Sequence, residues 1–135
     1  VAHFSHRIFT GYNQYPSVEL RTLFSNVLNE FLPDPLIKAK NLPSFARVFI
    51  TEQPGRRIVH LFSFVPEQRG EKTQMIEEPI ELYNVKISVR SSGRKIMKVY
   101  KAPEQKRFQY KEVEDYIDIT IPYINGYCMI VLEEK

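Results

Sequence analysis

Apolar residues recur along this chain in two rhythms, and the change from one to the other divides it. Between Ser17 and Phe31, the residues Leu20, Leu23, Phe24, Val27, Leu28 and Phe31 fall at steps of 0, 3, 4, 7, 8 and 11. That spacing predicts an amphipathic helix with one wide apolar face. Ser17 is suited to cap its start, and Glu19 places a carboxylate in the first turn, where the helix dipole favours it. Pro33 and Pro35 end it, because proline lacks the amide hydrogen and restricts the residue before it. Ahead of the helix, the semi-apolar run Ala2–Phe9 predicts a short strand, and Thr10–Pro16 a polar loop.

From Leu36 onward the helical rhythm is absent and the pattern is that of strands and turns. Ser44–Thr51 and Arg57–Val65 flank Pro54-Gly55, a pair suited to a type II turn, and together predict a hairpin. The second of these strands is apolar at nearly every position, which predicts a central strand covered on both faces. Pro66–Pro79 is a long charged loop. Tyr83, Val85, Ile87 and Val89 alternate with Asn84, Lys86, Ser88 and Arg90, predicting a half-buried strand with one wet face. Ser91-Ser92-Gly93 then turns the chain, and Lys95–Lys101 is expected to return beside it as a hairpin. A short strand around Phe108 and Tyr110 follows, then Asp115–Ile121 with Ile117, Ile119 and Ile121 on one face. A turn at Asn125-Gly126 leads into a last strand, Tyr127–Leu132.

These elements predict a mainly β chain: an antiparallel, Ig-like β-sandwich of about seven strands with one amphipathic N-terminal helix. The cysteine and tryptophan markers of true immunoglobulin domains are missing, so the expectation concerns architecture only. The helix raises a physical question. Burying a large apolar side chain is worth about 1.5–3 kcal/mol, so six on one face call for a partner. Either the helix covers a sandwich face, or its partner lies in another domain or a second copy.

Composition narrows the classes. The net charge is only +3, from 19 cations against 16 anions, and nucleic-acid binding needs a clustered basic footprint. The densest basic stretch is Arg90, Arg94, Lys95, Lys98 and Lys101, read as a solvated strand face, so no nucleic-acid partner is expected. The longest apolar run, Ile58–Val65, is too short to cross a bilayer, and no membrane partner is expected. No signal peptide is visible, and the start at Val1 reads as a fragment of a longer protein. Trp is absent, so a sugar-stacking face would have to use Tyr or Phe.

Candidate chemistry is sparse. Cys128 is the one cysteine, so no intrachain disulfide can form, and its apolar neighbours mark it as a small core residue. His3-x-x-His6 has metal-like spacing, but two histidines do not close a zinc site, so no metal or cofactor is expected. His60, inside the most apolar strand, reads as a hydrogen-bonded core or interface histidine. Glu77-Glu78 and Glu133-Glu134 are adjacent pairs whose members point to opposite sides of an extended chain. They do not form the facing carboxylates that glycoside hydrolysis needs, and Asp115 with Asp118 is no better placed. No nucleophile elbow or phosphate-binding glycine loop is present, so no catalytic residue is assigned. Tyr12, Tyr15, Tyr83, Tyr100, Tyr110, Tyr116, Tyr123 and Tyr127 are expected mostly as half-buried sheet residues, some of them available to a sugar.

Three stretches carry a family resemblance. The first is Phe4-Ser5-His6-Arg7-Ile8-Phe9-Thr10-Gly11-Tyr12, followed by the helix and Leu32-Pro33-Asp34-Pro35-Leu36. The second is Arg57-Ile58-Val59-His60-Leu61-Phe62-Ser63-Phe64 with Ile80-Glu81-Leu82-Tyr83-Asn84-Val85-Lys86-Ile87. The third runs from Ile121-Pro122-Tyr123-Ile124-Asn125-Gly126 to Glu133. In this order they resemble the C-terminal part of β-galactosidase-like glycoside hydrolases, which have a catalytic (β/α)8 barrel, a flavodoxin-like trimerisation domain and a small β-sandwich. The resemblance implies that residues 1–35 are the last strand and helix of the middle domain and residues 36–135 the terminal sandwich. It implies a non-catalytic accessory module whose partners are the other domains of the parent enzyme. A carbohydrate-binding module using Tyr or Phe platforms is the main rival. Self-association through Leu20, Leu23, Phe24, Val27, Leu28 and Phe31 is a third possibility.

Overall fold

The computed structural model describes all 135 residues, and the chain divides into two compact units, Val1–Pro35 and Leu36–Lys135. The first unit holds two helices, α1 (Ile8–Gln14) and α2 (Val18–Phe31). Ser17 caps α2: its Oγ accepts from the Leu20 amide at 3.2 Å. The Glu19 carboxyl is held below its usual range by a backbone hydrogen bond and by Ser17. Leu32 closes the helix, its amide donating to the Leu28 carbonyl at 2.9 Å before the prolines begin.

Helix α1 stands where the sequence predicts a strand end and a loop. Ile8, Phe9 and Tyr12 fall at i, i+1 and i+4, a helical stripe too short to stand out in the pattern. That stripe meets α2, with the Phe9 and Phe24 rings edge-to-face at 5.1 Å and Phe4 tilted against Phe24 at 6.5 Å. Ile8, Phe9, Tyr12, Leu20 and Phe24 line an apolar hollow of about 260 Å³.

The second unit is the antiparallel β-sandwich that the alternation predicts. Its strands are β1 (Ile37–Lys40), β2 (Arg47–Gln53), β3 (Arg56–Phe62), β4 (Glu67–Arg69), β5 (Thr73–Met75), β6 (Glu81–Arg90), β7 (Ile96–Ala102), β8 (Lys106–Arg107), β9 (Tyr110–Val113), β10 (Tyr116–Asn125) and β11 (Tyr127–Glu134). One sheet has the order β1-β6-β10-β9, the other β2-β3-β11-β7-β8, and β4-β5 is a separate hairpin. The strand count exceeds the expected seven because β4, β5 and β8 are two- or three-residue pairings inside segments expected as loops, and because the four-residue edge strand β1 precedes the first predicted strand of the sandwich.

Inward side chains of both sheets form one core. Val85, Ile87, Val89, Ile117, Ile119, Ile121 and Ile124 from the first sheet meet Val59, Leu61, Ile96, Val99, Cys128, Ile130 and Leu132 from the second. The predicted face of Ile117, Ile119 and Ile121 is therefore the buried one. Cys128 is 1% exposed, and burial pushes its thiol up to about 11.

Three local expectations change. Strands β6 and β7 do not pair as a hairpin: the Ser91-Ser92-Gly93 turn carries the chain from one sheet to the other. Ser92 and Gly93 both have positive φ (54° and 74°) and the Arg94 amide donates to the Ser91 carbonyl at 3.1 Å, a tight turn of the kind hairpins use, so the change of sheet is set by the strands that β6 and β7 pair with rather than by the turn itself. Tyr83 is not on the core face. Asn84 is left-handed (φ 53°), which shifts the phase of alternation, so Tyr83 stands 61% exposed while Leu82 turns inward. The paired strand β10 makes the same shift at Pro122 and Tyr123. Finally, β3 is second from the edge of its sheet. Its inward side chains enter the core, and its outward ones lie among side chains of neighbouring strands rather than under a second layer of strands.

Arg57, at the start of β3, is 2% exposed. Its Nε donates to the Glu134 carboxylate, Nη1 donates to the Arg90 carbonyl, and Nη2 reaches the Ser91 carbonyl at 3.4 Å. It thus ties the last strand of one sheet to the end of β6 in the other. Near the opposite end of β3, the buried Ser63 makes a second tie. Its amide donates to the Gly126 carbonyl at 2.7 Å, its Oγ to the Ile80 carbonyl at 2.6 Å, and its carbonyl accepts from the Ile80 amide at 2.9 Å.

Candidate docking surface

Alternation that sends Val59, Leu61, Cys128 and Ile130 into the core sends their sequence neighbours out of the five-stranded sheet. The register places Phe62 between Arg47 and Tyr127, and His60 between Phe49 and Met129. The outward rings form one cluster. Phe49 stacks on His60 at 5.0 Å and on Phe62 at 5.4 Å, and Tyr127 lies 4.7 Å from Phe62 and 6.1 Å from His60. Phe49 is 47% exposed and Tyr127 37%. Beyond them Ile58 and Val131 lie on the same side of the sheet but are already buried, and a charged row of Arg56, Glu133 and Lys98 borders the cluster.

His60 is fixed within this cluster. Its Nε2 lies 3.0 Å from the Thr51 hydroxyl and its Nδ1 2.7 Å from the Tyr127 hydroxyl. A neutral imidazole needs one donor and one acceptor, and two hydroxyls satisfy it in either tautomer. Burial raises the Tyr127 phenol above its usual range. The arrangement is an apolar centre with its polar atoms paired and charge at its margin, the anatomy of a protein interface. Its chemistry as a sugar platform is poor. Phe62 and His60 each have ring neighbours on two sides, so the cluster presents ring edges where stacking on a sugar needs a free face.

A second aromatic feature arises from the phase shift in β6 and β10. Tyr83 and Tyr123 lie directly across from each other, their rings 5.3 Å apart and tilted by 48°. Both phenols donate to Glu81, Tyr83 to Oε2 at 2.6 Å and Tyr123 to Oε1 at 2.7 Å. These bonds lower the Glu81 carboxyl, Tyr83 contributing most, and raise both phenols.

The residues singled out from the sequence fall elsewhere. On α2, Leu20, Phe24 and Val27 are half-buried, while Leu23, Leu28 and Phe31 are 46%, 43% and 53% exposed. His3 and His6 are exposed, and His6 Nδ1 lies 2.9 Å from the Ser5 hydroxyl. No group of three or more His, Cys, Asp or Glu side chains gathers where an ion could be held. Glu77 pairs with Arg69 at 2.6 Å, Glu134 with Arg57 and Arg94, and Asp115 with Arg90 at 2.9 Å. The basic stretch is largely neutralised. Arg90 and Arg94 hold carboxylates, Lys101 pairs with Glu104 at 2.7 Å, and Lys98 sits over the Tyr100 ring at 4.4 Å.

The aromatic cluster escaped the sequence reading, although the signal was present. A strand apolar on both faces must present half its side chains away from the core, and Phe49 and Tyr127 hold the matching outward positions on its neighbours.

The fold defines the class: a two-sheet antiparallel β-sandwich preceded in sequence by a separate helical unit. The sequence matches no protein-family profile and no curated protein sequence. The structure is similar to part of alpha-L-fucosidase isoenzyme 2 from Paenibacillus thiaminolyticus, with a TM-score of 0.88 and 25% identity. The match covers 95% of this chain and 20% of the fucosidase, so the chain spans about a fifth of that enzyme's length. A looser likeness in fold links it to a cycloisomaltooligosaccharide glucanotransferase from a Paenibacillus species, solved with cycloisomaltoheptaose. There the TM-score is 0.50 and the identity 18%, over 80% of this chain and 19% of that one.

Proposed function

We propose that the chain is a non-catalytic accessory module of a larger glycoside hydrolase, and that the aromatic face of its five-stranded sheet packs against a neighbouring domain of that enzyme. The observation that carries this reading is the outward cluster of Phe49, His60, Phe62 and Tyr127. Its rings stack on one another and its hydroxyls and imidazole satisfy each other, leaving a surface fit for burial and poorly fitted to a sugar. A contiguous apolar patch with a polar rim marks an interaction site. The occupant is a domain of the same parent, because 95% of the chain matches one fifth of a far longer carbohydrate-active enzyme. The sequence resembles β-galactosidase-like enzymes and the structure an alpha-L-fucosidase. What the two share, hydrolysis of glycosidic bonds, is the reading adopted for the parent. On the same reading, residues 1–35 belong with a preceding domain, which would cover the exposed Leu23, Leu28 and Phe31 of α2.

Glu77, Glu134 and Asp115 are engaged in ion pairs and Glu81 in two phenol hydrogen bonds, which supports a non-catalytic role. The test has two parts. The chain alone, given a panel of aryl glycosides, should show no turnover; turnover lost on a single carboxylate substitution overturns the reading. The adjoining coding region, expressed separately and mixed with this chain, should bind it. Phe49→Ser with Tyr127→Ser should weaken that binding by tenfold or more, since each buried aromatic is worth about 1.5–3 kcal/mol. Unchanged binding would assign the contact to another face.

A further inference from the structure

Beyond the docking face, we propose that the outer face of the four-stranded sheet is a binding surface for an anionic polysaccharide, one carrying uronate or sulfate groups. Lys40, Lys86 and Lys111 come from β1, β6 and β9, separated by 46 and 25 positions in sequence, and the sheet brings them around one concavity of about 460 Å³. Unlike Arg90, Arg94 and Lys101 of the basic stretch, these three form no ion pair, and Asp118 is the one carboxylate in the lining.

The register makes the arrangement sharper. Lys40 stands directly across from Lys86, and Lys86 across from Thr120. Like charges opposed on adjacent strands destabilise a sheet, so this pair is held against its own repulsion until an anion neutralises it. In the next outward row, Lys38 stands across from Ser88, Ser88 from Asp118 and Asp118 from Lys111. The four strands span about 14 Å at the usual strand spacing. Cations therefore flank the lining on both sides, Lys40 and Lys86 on one and Lys111 on the other, with Ser88, Thr120 and Gln109 between or beside them to suit sugar hydroxyls and Asp118 as the one opposing charge. Three residues further along β6 and β10, about 10 Å at the usual rise, Tyr83 and Tyr123 add exposed rings.

A linear glycan with repeated negative groups matches this combination of spaced ammonium groups, neutral hydrogen-bonding groups and nearby aromatic rings. A compact phosphate would engage only one end of it, and duplex nucleic acid calls for a denser basic footprint. The choice of a glycan also draws on the carbohydrate-active neighbours. It does not depend on the docking role of the aromatic face, which lies on the other sheet.

The experiment measures binding of the full chain to four oligomers: a galacturonate oligosaccharide, a sulfated dextran oligosaccharide, neutral dextran and duplex DNA. Binding to one or both anionic glycans, weakening with added salt and absent on neutral dextran, is the expected result. K40Q/K86Q/K111Q should lower it at least tenfold. K95Q/K106Q/K135Q removes the same charge from other exposed positions and should stay within twofold. Which anionic glycan binds identifies uronate or sulfate as the recognised group. No binding to either, an equal loss in both triple variants, or duplex DNA bound as tightly as the glycan overturns the proposal. The three lysines project from the sheet and two of them repel each other, so the thermal midpoint should be kept or raised, and the single K86Q variant repeats the test should the triple fail to fold. Loss of docking by Phe49→Ser with glycan binding intact, or the reverse, separates this inference from the accessory role.

Discussion

Removing Arg57 tests how the two sheets are held in register. Its guanidinium is buried and joins the Glu134 carboxylate to the Arg90 and Ser91 carbonyls, so Arg57→Met takes away a buried charge partner and two carbonyl ligands at once. Breaking a buried ion pair from one side costs about 3–5 kcal/mol. Arg94 still reaches Glu134 Oε2 at 3.0 Å, which softens the loss and favours the lower end, about 3 kcal/mol. Glu134→Leu should cost more, because it leaves the Arg57 charge buried with only neutral carbonyls around it. The double variant Arg57→Met/Glu134→Leu should recover much of the loss, because a well-packed apolar pair often matches a buried ion pair. Urea unfolding followed by the β-sheet circular dichroism signal reads all three, and each kcal/mol should move the thermal midpoint by about 4–8 °C in a domain this size. Loss of less than about 1 kcal/mol in Arg57→Met, or a double variant no more stable than the sum of the singles, would mean that the Arg57–Glu134 pair does not hold the two sheets together.

Other substitutions probe separate features. Gly126→Ala should destabilise strongly: φ is +71° and a Cβ would lie 2.6 Å from Phe64 Cζ and 2.8 Å from Pro79 Cβ. The backbone alone costs about 1–2 kcal/mol, so a thermal midpoint within a degree of the parent's would contradict the close approach. Asn84→Val should lose about 1–2 kcal/mol, since a β-branched residue resists a positive φ, whereas Asn84→Gly should be nearly neutral; equal effects would dismiss the phase-shift argument. Stability should fall in alkali. The buried Cys128 thiol ionises near 11 in the fold and near 9 when unfolded, so its contribution is complete below about pH 9 and lost as pH rises towards 11. In Cys128→Ala the slope of unfolding free energy against pH between 9 and 11 should be shallower, and an unchanged slope would assign it to the tyrosines alone. Ser17→Ala should cost α2 about 1 kcal/mol, visible as faster amide exchange at Leu20; unchanged exchange would argue against the cap.

Much of the sandwich was legible in the sequence because burial on one face leaves a period of two. Ile117, Ile119 and Ile121 announce their strand and their inward face, and Ser17 with Pro33 brackets α2. What could not be read depends on backbone state rather than hydrophobicity. Ser91-Ser92-Gly93 suits a hairpin and a sheet-crossing corner equally well, so the pairing of β6 with β10 instead of β7 was hidden. A single left-handed Asn84 exchanges the faces of Tyr83 and Leu82 without altering the letters around it. The burial of Arg57 left no local trace, since its partner Glu134 lies 77 residues away. The lysine concavity was hidden for the same reason. The three cations are scattered in sequence, whereas Arg90 and Arg94 of the one visible basic run meet carboxylates from distant parts of the chain.

The knot of hydrogen bonds at Ser63 has a consequence for how the gene could be altered. Because Ile80 is fastened directly to Ser63, and Phe64 bridges to Pro79, the segment between them leaves the sandwich and rejoins it at nearly one point. Its own small hairpin is solvent-exposed and held locally by Arg69 between Glu67 and Glu77. Lengthening a closed surface excursion adds only a slowly growing entropic term. A tag, an epitope or a second folded module spliced near Gly70 should therefore leave the strands beneath it undisturbed, making this outpost the natural handle for immobilising the protein.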